Sequence, residues 1–562
     1  MPPRSLPPGP SFVPESPQSH ARAERQEEAD AAPLAHALSQ SPLAPLADPV
    51  FRMLWLVWLA ANVSMWMNDV AAAWLMTSLT TKPIWVALVA SAATLPVFLL
   101  GLPSGALADI LDRRRYLLIT QIWVAVVAGL LCLVTALQLM SPPLLLVLMF
   151  ANGIGLAMRW PVFSAIIPEL VPRGQLPAAL ALTGVSMNAS RIIGPLAAGA
   201  IIAAAGSAWV FVLNALLCLG SAVLIMRWKR QHVPSPHGRE PLLSAMRVGL
   251  QFVGQSSRLK AVYVRVGIFF FHSTALIALL PLVARAMHGG SAATYTLLLA
   301  AMGSGAIAAA MFLPRLRRAF SRDGLVLAGS VLQAAATAVV GFAPSVYVAV
   351  PAMFVGGIAW ISTVNSLSVS AQFALPDWVR ARGMSIYQMA IMGGSALGAA
   401  VWGQVATLTT VSSSLGLAAA SGVLCMLAAS VLVVDRSIEE DMSPSSLLKA
   451  PVAPAPPEEG HIVVDIEYRI DPARADEFRA LMQESRRSRM RQGALGWNLL
   501  REVSDPGRFI EQIIDQSWTE HLRRFDRVTA ADIALRERKL AFHLGDSAPV
   551  ITRRVVDPAG RA

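Results

Sequence analysis

Residues 105–115 read GALADILDRRR and close an apolar run that begins LVASAATLPVFLL at residue 88. Two acids followed by three consecutive arginines are expensive inside hydrocarbon. The run therefore ends at a membrane surface, on the side where arginines collect.

The same design recurs along the chain. Of 562 residues, 55% are hydrophobic and only 14% are charged, where a soluble domain carries about 25% charged residues. Apolar stretches near the ~20 residues needed to cross a bilayer run from Phe51 to Val434. They divide into twelve spans, near 51–77, 84–108, 115–139, 143–165, 176–205, 207–228, 259–287, 291–313, 323–343, 345–371, 380–408 and 412–434. Alternate connections carry Arg113, Arg114 and Arg115; Arg173; Arg227, Lys229, Arg230 and Arg239; Arg315, Arg317, Arg318 and Arg322; and Arg380 and Arg382. The other set holds Lys82, Arg285 and short neutral links such as MSPP and TVSSS. This asymmetry assigns the arginine set to the cytoplasm, so an even number of spans leaves both termini there.

The net charge of +11 does not point to nucleic acid. From Arg436 onward there are 20 basic and 21 acidic residues, leaving 26 and 14 in the apolar part, where short inside loops collect Lys and Arg. Cys132, Cys218 and Cys425 all lie within spans, with neither disulfide nor metal spacing, and read as packing residues. No Walker pattern supports ATP drive, and no cofactor or metal site is expected. The N-terminus lacks a signal-peptide core; its Pro, Ser, Gln and Glu content predicts disorder over residues 1–47.

The longest connection separates six spans from six. It predicts an amphipathic helix along the membrane surface, with Leu242, Leu243, Met246, Leu250 and Val253 on one face. The halves also look alike. FANG at 150–153 precedes PELVPRG at 168–174, and FVGG at 354–357 precedes PDWVRARG at 376–383, each followed by a Gly-rich span. Two such halves suit a secondary transporter that rocks about a central site.

GALADILDRRR resembles the signature between spans 2 and 3 of the major facilitator superfamily. Gly105, Leu107, Ala108, Asp109, Arg113 and Arg114 fit that pattern; Ile110 and Asp112 depart from it, replacing a basic residue and a glycine. The resemblance implies that Asp109 engages the start of span 11 near Gly383 and latches the cytoplasmic side; the alternative is a purely topogenic cluster. Gly194-Pro195 in span 5 matches the superfamily's export-associated Gly-Pro motif, where proline weakens the helix and permits bending. A closer resemblance rests on FRMLWLVWLAANVSMWMNDVAAAWLM, RWPVFSAIIPELVPRGQLPAALAL, NASRIIGP and SWTEHLRRFDRVTAAD. These look like the transmembrane secretion effector family, which includes siderophore and macrolide exporters.

Ionisable groups inside spans are functional candidates. Asp69 and Arg191 lie roughly 27 Å and 23 Å along spans 1 and 5 at ~1.5 Å per residue. An Asp69–Arg191 pair is therefore expected, with Asn62, Asn68 and Asn188 nearby, as a structural clasp or as a proton-coupling site. Arg159 is expected to snorkel from span 4 and Glu169 to be solvated. His272 either lines the cavity or packs. Trp66, Trp74, Trp360 and Trp402 either stack on an aromatic substrate or serve as packing and interface anchors.

After Asp435 a Pro-rich linker (436–460) leads to a soluble segment, 461–557. Its βαββαβ order is ferredoxin-like: a strand HIVVDIEYRI, a helix from Pro472 to Gly493, a hairpin about Asp505-Pro506-Gly507, a second helix capped by Thr519, and a strand VITRRVV. It resembles dimeric α/β-barrel domains related to monooxygenases. His461, His521 and His543 show no metal-ligand spacing, so a regulatory or dimerising module is the favoured role. The rival is a membrane-tethered monooxygenase-like enzyme or sensor.

The sequence thus predicts an all-α polytopic membrane protein with two six-helix halves (48–228 and 259–435), a cytoplasmic loop (229–258) and a small α+β ferredoxin-like domain. Its expected activity is export of a small amphipathic organic molecule (siderophore, drug or secondary metabolite) across a bacterial cytoplasmic membrane by proton antiport. Its expected partners are that substrate, protons and the lipid bilayer.

Overall fold

A computed structural model describes residues 43–228, 242–433 apart from 288 and 320, parts of 441–451, and 460–556 apart from 546. The expected N-terminal tail, most of the linker and the first part of the central loop lie outside the described residues. The first six helices are α1 (Pro49–Leu79), α2 (Pro83–Ile110), α3 (Arg113–Ala136), α4 (Pro142–Leu170), α5 (Leu176–Ala205) and α6 (Ser207–Arg227). A short α7 (Leu242–Gln255) precedes α8 (Ser257–Ala286), α9 (Ala292–Ala319), α10 (Arg322–Gly341), α11 (Val346–Phe373), α12 (Asp377–Leu408) and α13 (Val411–Leu432). Twelve of the described helices, α1–α6 and α8–α13, are long and apolar enough to cross a membrane.

Local chemistry sets the helix starts. Asp48 caps α1 by accepting from the Phe51 N–H at 2.7 Å, with Pro49 at the first position, where its missing donor costs nothing. Asp112, the residue that departs from the superfamily pattern, caps α3 by accepting from the Arg115 N–H at 2.9 Å. Its neighbour Arg114 donates to the carbonyls of Ile225 and Met226 at 3.2 and 2.5 Å. A guanidinium thereby satisfies the free carbonyl end of α6, where the helix dipole favours a cation. In the second half Arg265 of α8 joins the corresponding ends, donating to Asp323 at 2.7 Å and to the Val433 carbonyl at 3.4 Å.

The halves meet chiefly where α2 packs along α12 and α5 against α9. Within the second half, α9 and α11 approach backbone to backbone. A Cβ on Gly305 would lie 1.9 Å from the Phe354 carbonyl oxygen, and one on Gly357 1.9 Å from that of Met302. Only glycine permits such a crossing.

One large buried cluster seals the end opposite the arginines and draws on both halves, including Met76, Val86 and Phe211 with Leu279, Tyr295 and Trp402. There the Ile84 N–H donates to Thr407 Oγ1 at 3.0 Å, and Ser91 Oγ donates to the Ala396 carbonyl at 2.8 Å. Toward the arginine-bearing end the cores separate. One contains Phe51, Trp58, Tyr116 and Ile166 of the first half; another contains Val266, Phe270, Tyr387 and Met426 of the second. The halves therefore share one core at one end and have separate cores toward the other.

The C-terminal domain contains β1 (Ile462–Arg469), α14 (Ala475–Arg491), β2 (Gly496–Arg501), β3 (Arg508–Asp515), α15 (Trp518–Asp526), α16 (Ala530–Leu540) and β4 (Val550–Val555). Its antiparallel sheet has the order β2-β3-β1-β4, the ferredoxin-like arrangement. The second helix differs from expectation in two ways. Its cap is Ser517 rather than Thr519, and it breaks after Asp526 because Thr529 and Asp532 form a reciprocal capping box that starts a new helix.

The domain docks at the arginine-bearing end. Arg247 of α7 donates to Gln516 at 2.9 Å, Gln251 donates to the Ala494 carbonyl at 3.4 Å, and Arg527 lies 5.1 Å from the Trp378 ring at the start of α12. Gly493 adopts φ +105°, and a Cβ there would meet Val248 at 2.9 Å. The amphipathic helix thus forms, but among its described side chains Val248 and Phe252 are buried, while Leu250 is exposed. Contact with the C-terminal domain and α12 selects that face, which periodicity alone does not reveal.

At the centre of this domain Glu511 is fully buried. It accepts from Ser485 Oγ at 2.7 Å, Trp497 Nε1 at 3.1 Å and Lys539 Nζ at 3.1 Å, with Arg489 at 3.5 Å. Burial alone pushes the carboxyl pKa up; Lys539 and Arg489 more than reverse this and hold it well below the usual carboxylate range. The folded value lies below the unfolded one. The associated stability is therefore complete above the unfolded carboxylate range near pH ~4.3 and declines as pH falls toward the depressed value. Glu511→Gln leaves the buried Lys539 and the partly buried Arg489 without their counter-charge and should cost about 3–5 kcal/mol. Hydrogen exchange on the full chain at neutral pH should show faster exchange of the β3 amides in this variant, with the spans unchanged.

Candidate functional site

Arg191 lies on α5 at the junction of the halves. Its guanidinium is 5.5 Å from the Trp66 ring of α1 and 5.1 Å from the Trp360 ring of α11. One indole therefore comes from each half. The Arg191 Nε is buried without a hydrogen-bond partner, and no ion pair is formed between Arg191 and a described residue. Trp360 is itself held edge-on by Phe270 at 6.0 Å. A planar cation between two aromatic faces is a ready receptor for a planar anion, with the rings supplying stacking and the fork supplying donors.

The Gly-Pro motif builds this arrangement. A Cβ on Gly194 would fall 2.5 Å from Trp66 Cβ and 3.1 Å from the Val63 carbonyl oxygen, so glycine lets α1 bring Trp66 up to Arg191. Pro195 lies inside α5 and lacks the N–H that the Arg191 carbonyl would otherwise accept. Both residues thus act next to Arg191. Gly194→Val should displace Trp66 at a cost of about 1–3 kcal/mol. It should strongly reduce transport with normal expression, as measured by vesicle uptake against protein level.

The expected Asp69–Arg191 contact is not made in this conformation. Asp69 forms no ion pair or hydrogen bond with a described residue; it lies within electrostatic reach of Tyr295 on α9. The depth comparison placed the two groups too close. Asp69 is 20 residues past Pro49 and Arg191 15 past Leu176, about 7 Å of height at ~1.5 Å per residue. Asn68 instead bonds Asn214 at 3.1 Å and Met149 Sδ at 3.4 Å. Asn188 is exposed and donates to the Gly184 carbonyl at 3.0 Å, so neither joins Asp69.

The other candidates separate by role. Trp74 stacks on Tyr295 at 6.2 Å and carries Arg285 at 5.8 Å on its ring. Arg285 also donates to the Thr77 carbonyl, so this group closes the end opposite the arginines. Trp402 is buried and donates to the Phe271 carbonyl at 3.1 Å. His272 Nδ1 lies 2.8 Å from the Ile268 carbonyl, and its ring lines a small cavity inside the second half. Arg159 does not snorkel: it is only 4% exposed and faces Trp58 at 5.8 Å. The surroundings of Gly105 and the side chains of Asp109 and Glu169 lie outside what the structure describes. Asp112 and Arg114 are placed as caps, as described above. Among the described residues no cluster of His, Cys, Asp and Glu could hold a metal.

The family model described as transmembrane secretion effector matches residues 40–560. The chain belongs to the transmembrane secretion effector family. It is thus a major facilitator transporter, and the tethered-enzyme alternative is set aside. Relatives of this effector-family transporter include the staphyloferrin A transporter of Staphylococcus aureus, 23% identical over 58% of this chain and 81% of that protein. The enterobactin exporter EntS of Citrobacter koseri is 25% identical over 64% and 86%. Solved structures with the same fold include a POT family transporter in complex with 5-aminolevulinic acid (TM-score 0.57, 15% identity, 68% of this chain and 96% of that one). An inward-facing, occupied bacterial Spinster homologue is similar (TM-score 0.55, 13% identity, 69% and 96%).

Sequence reasoning identified the effector-family transporter's Arg191 and Trp66 but not their meeting with Trp360. Trp360 comes from the other half of the chain, and no local spacing encodes that contact.

Proposed function

We propose that this transporter exports a small anionic, amphipathic organic molecule of the siderophore class by alternating access coupled to proton antiport. The observation that carries the reading is Arg191, without a carboxylate partner, between an indole from each half. Iron(III) chelators carry anionic oxygen donors on compact organic frames, which suits a guanidinium flanked by ring faces. The two relatives named for siderophores support the same class.

With the arginine loops in the cytoplasm, the conformation is inward-facing and both termini are cytoplasmic, in a bacterial inner membrane. Substrate enters from the cytoplasm, its anionic group takes the Arg191 donors, and its planar part stacks on Trp66 or Trp360. The halves close beneath it. The Trp74–Tyr295 stack, the Arg285–Thr77 contact and the Ile84–Thr407 bond then part on the far side. Asp69 lies beside that seal; protonation from outside once the seal opens, and release inside after return, exchanges protons for substrate. Asp109 and Arg113 latch the cytoplasmic side when it closes, while Asp112 and Arg114 hold α3 and α6 in place. The docked C-terminal domain serves as a regulatory or dimerising module.

Uptake into inverted vesicles with an imposed proton gradient tests the proposal, using catecholate and carboxylate siderophores beside a cationic macrolide. Siderophore accumulation that disappears on collapsing the gradient is expected. Accumulation indifferent to the gradient overturns antiport, and exclusive transport of the cation overturns the substrate class.

A further inference from the structure

We infer that the first half contains a binding site for one small inorganic anion of chloride type, held by Arg159 and separate from the transport site. Arg159 is 4% exposed and lies roughly 16 Å from the end of α4 at Leu170, at ~1.5 Å per residue. It forms no hydrogen bond or ion pair with any described residue, and its Nε is buried without a partner. Its recorded neighbours are the neutral Trp58 ring at 5.8 Å, which is stacked on Phe163 at 3.9 Å, and the Cys218 thiol, with which it interacts electrostatically. A buried cation in a membrane protein without a counter-charge is a high-energy arrangement. An anion beside it removes that cost.

A water-sized space lies beside Arg159, which a halide, somewhat larger than water, fills once the lining side chains shift outward. Arg159 lines a small cavity with Ser64, Asn152, Asn214 and Cys218, with room for about one water-sized body. Asn152 is 7% exposed and its Oδ1 is buried without a partner. Its amide can present N–H donors to an anion, because the O and N assignments of an amide are interchangeable at this level. Asn214 is already occupied. It donates to Asn68 at 3.1 Å and accepts from Ser64, which fixes the far wall.

The second half supplies a contrast. Its own small cavity lies between α8, α10 and α13 and is mostly apolar, lined by Phe269 and Met426 among others, with His272, Gln333 and Thr337 as polar members. That lining contains no arginine or lysine. Among the described residues, the cavity of the first half thus contains a cation that the cavity of the second half lacks.

Thermal unfolding of the purified full chain in chloride, bromide and gluconate at equal ionic strength tests the assignment. The expected result is a saturable rise in Tm with either halide over gluconate. It should be absent in Arg159→Gln and retained in Arg191→Gln, which distinguishes this site from the transport site. Asn152→Asp provides an independent test, because it places a carboxylate beside Arg159. That variant should fold and lose its halide dependence even if Arg159→Gln does not fold. A wild-type Tm indifferent to halide, or an equal halide response in Arg159→Gln or Asn152→Asp, would overturn the site and leave water as the occupant.

Discussion

Arg191→Gln should abolish accumulation of an anionic substrate while the protein still folds and reaches the membrane. Arg191 forms no ion pair with a described residue, so its removal leaves no orphaned carboxylate behind. Losing the charged donor from a desolvated pair costs about 2–5 kcal/mol, on the order of 30-fold or more in affinity. Arg191→Lys should recover only part of this, because an ammonium keeps the charge but loses the planar fork that lies over Trp66 and Trp360. Trp66→Leu and Trp360→Leu should each weaken binding by about 1–2 kcal/mol, the range of a desolvated cation–π contact. Concentration-dependent vesicle uptake, normalised to protein level, checks all four. Full activity in Arg191→Gln would remove this residue from the substrate path.

Asp69→Asn should separate transport from its energy source. The carboxamide cannot exchange a proton, so the variant should equilibrate substrate down its gradient and perform counterflow but not accumulate it against a gradient. The absence of an Asp69–Arg191 contact adds a second expectation. In stability measurements the effects of Asp69→Asn and Arg191→Gln should add to within about 0.5 kcal/mol, as they do for residues that share no contact. Gradient-driven accumulation at the wild-type level in Asp69→Asn would move the coupling role elsewhere.

Topology is the feature most legible in the sequence, because lipid forces it to be explicit. Every span must satisfy its backbone internally as a helix of adequate length, and the arginines must remain at one surface. The βαββαβ tail was equally readable, since strand alternation and capping residues are local. Its broken second helix was readable too: Thr529-Ala-Ala-Asp532 is a capping-box pattern. Facing directions inside the bundle were not readable. Nearly all-apolar helices give no stripe to orient them, so Arg159 read as a snorkelling residue although it points into the first half. Depth counted along two helices with different starting points brought Asp69 and Arg191 together when they lie about one and a half turns apart at ~1.5 Å per residue. Trp360 reaches Arg191 from the other half of the chain, a contact that no local pattern encodes.

The account rests on two halves that open alternately about Arg191, and the distance across the sealed end tests it most directly. Spin labels at Lys82 and Thr409, exposed at the outer ends of α2 and α12, can be placed after replacing Cys132, Cys218 and Cys425. In lipid nanodiscs, pulsed dipolar spectroscopy should resolve two distances. The shorter corresponds to the sealed arrangement joined by Ile84 and Thr407; the longer should grow when substrate is added or the pH is lowered. A single short distance under every condition, in protein that still transports, would contradict it.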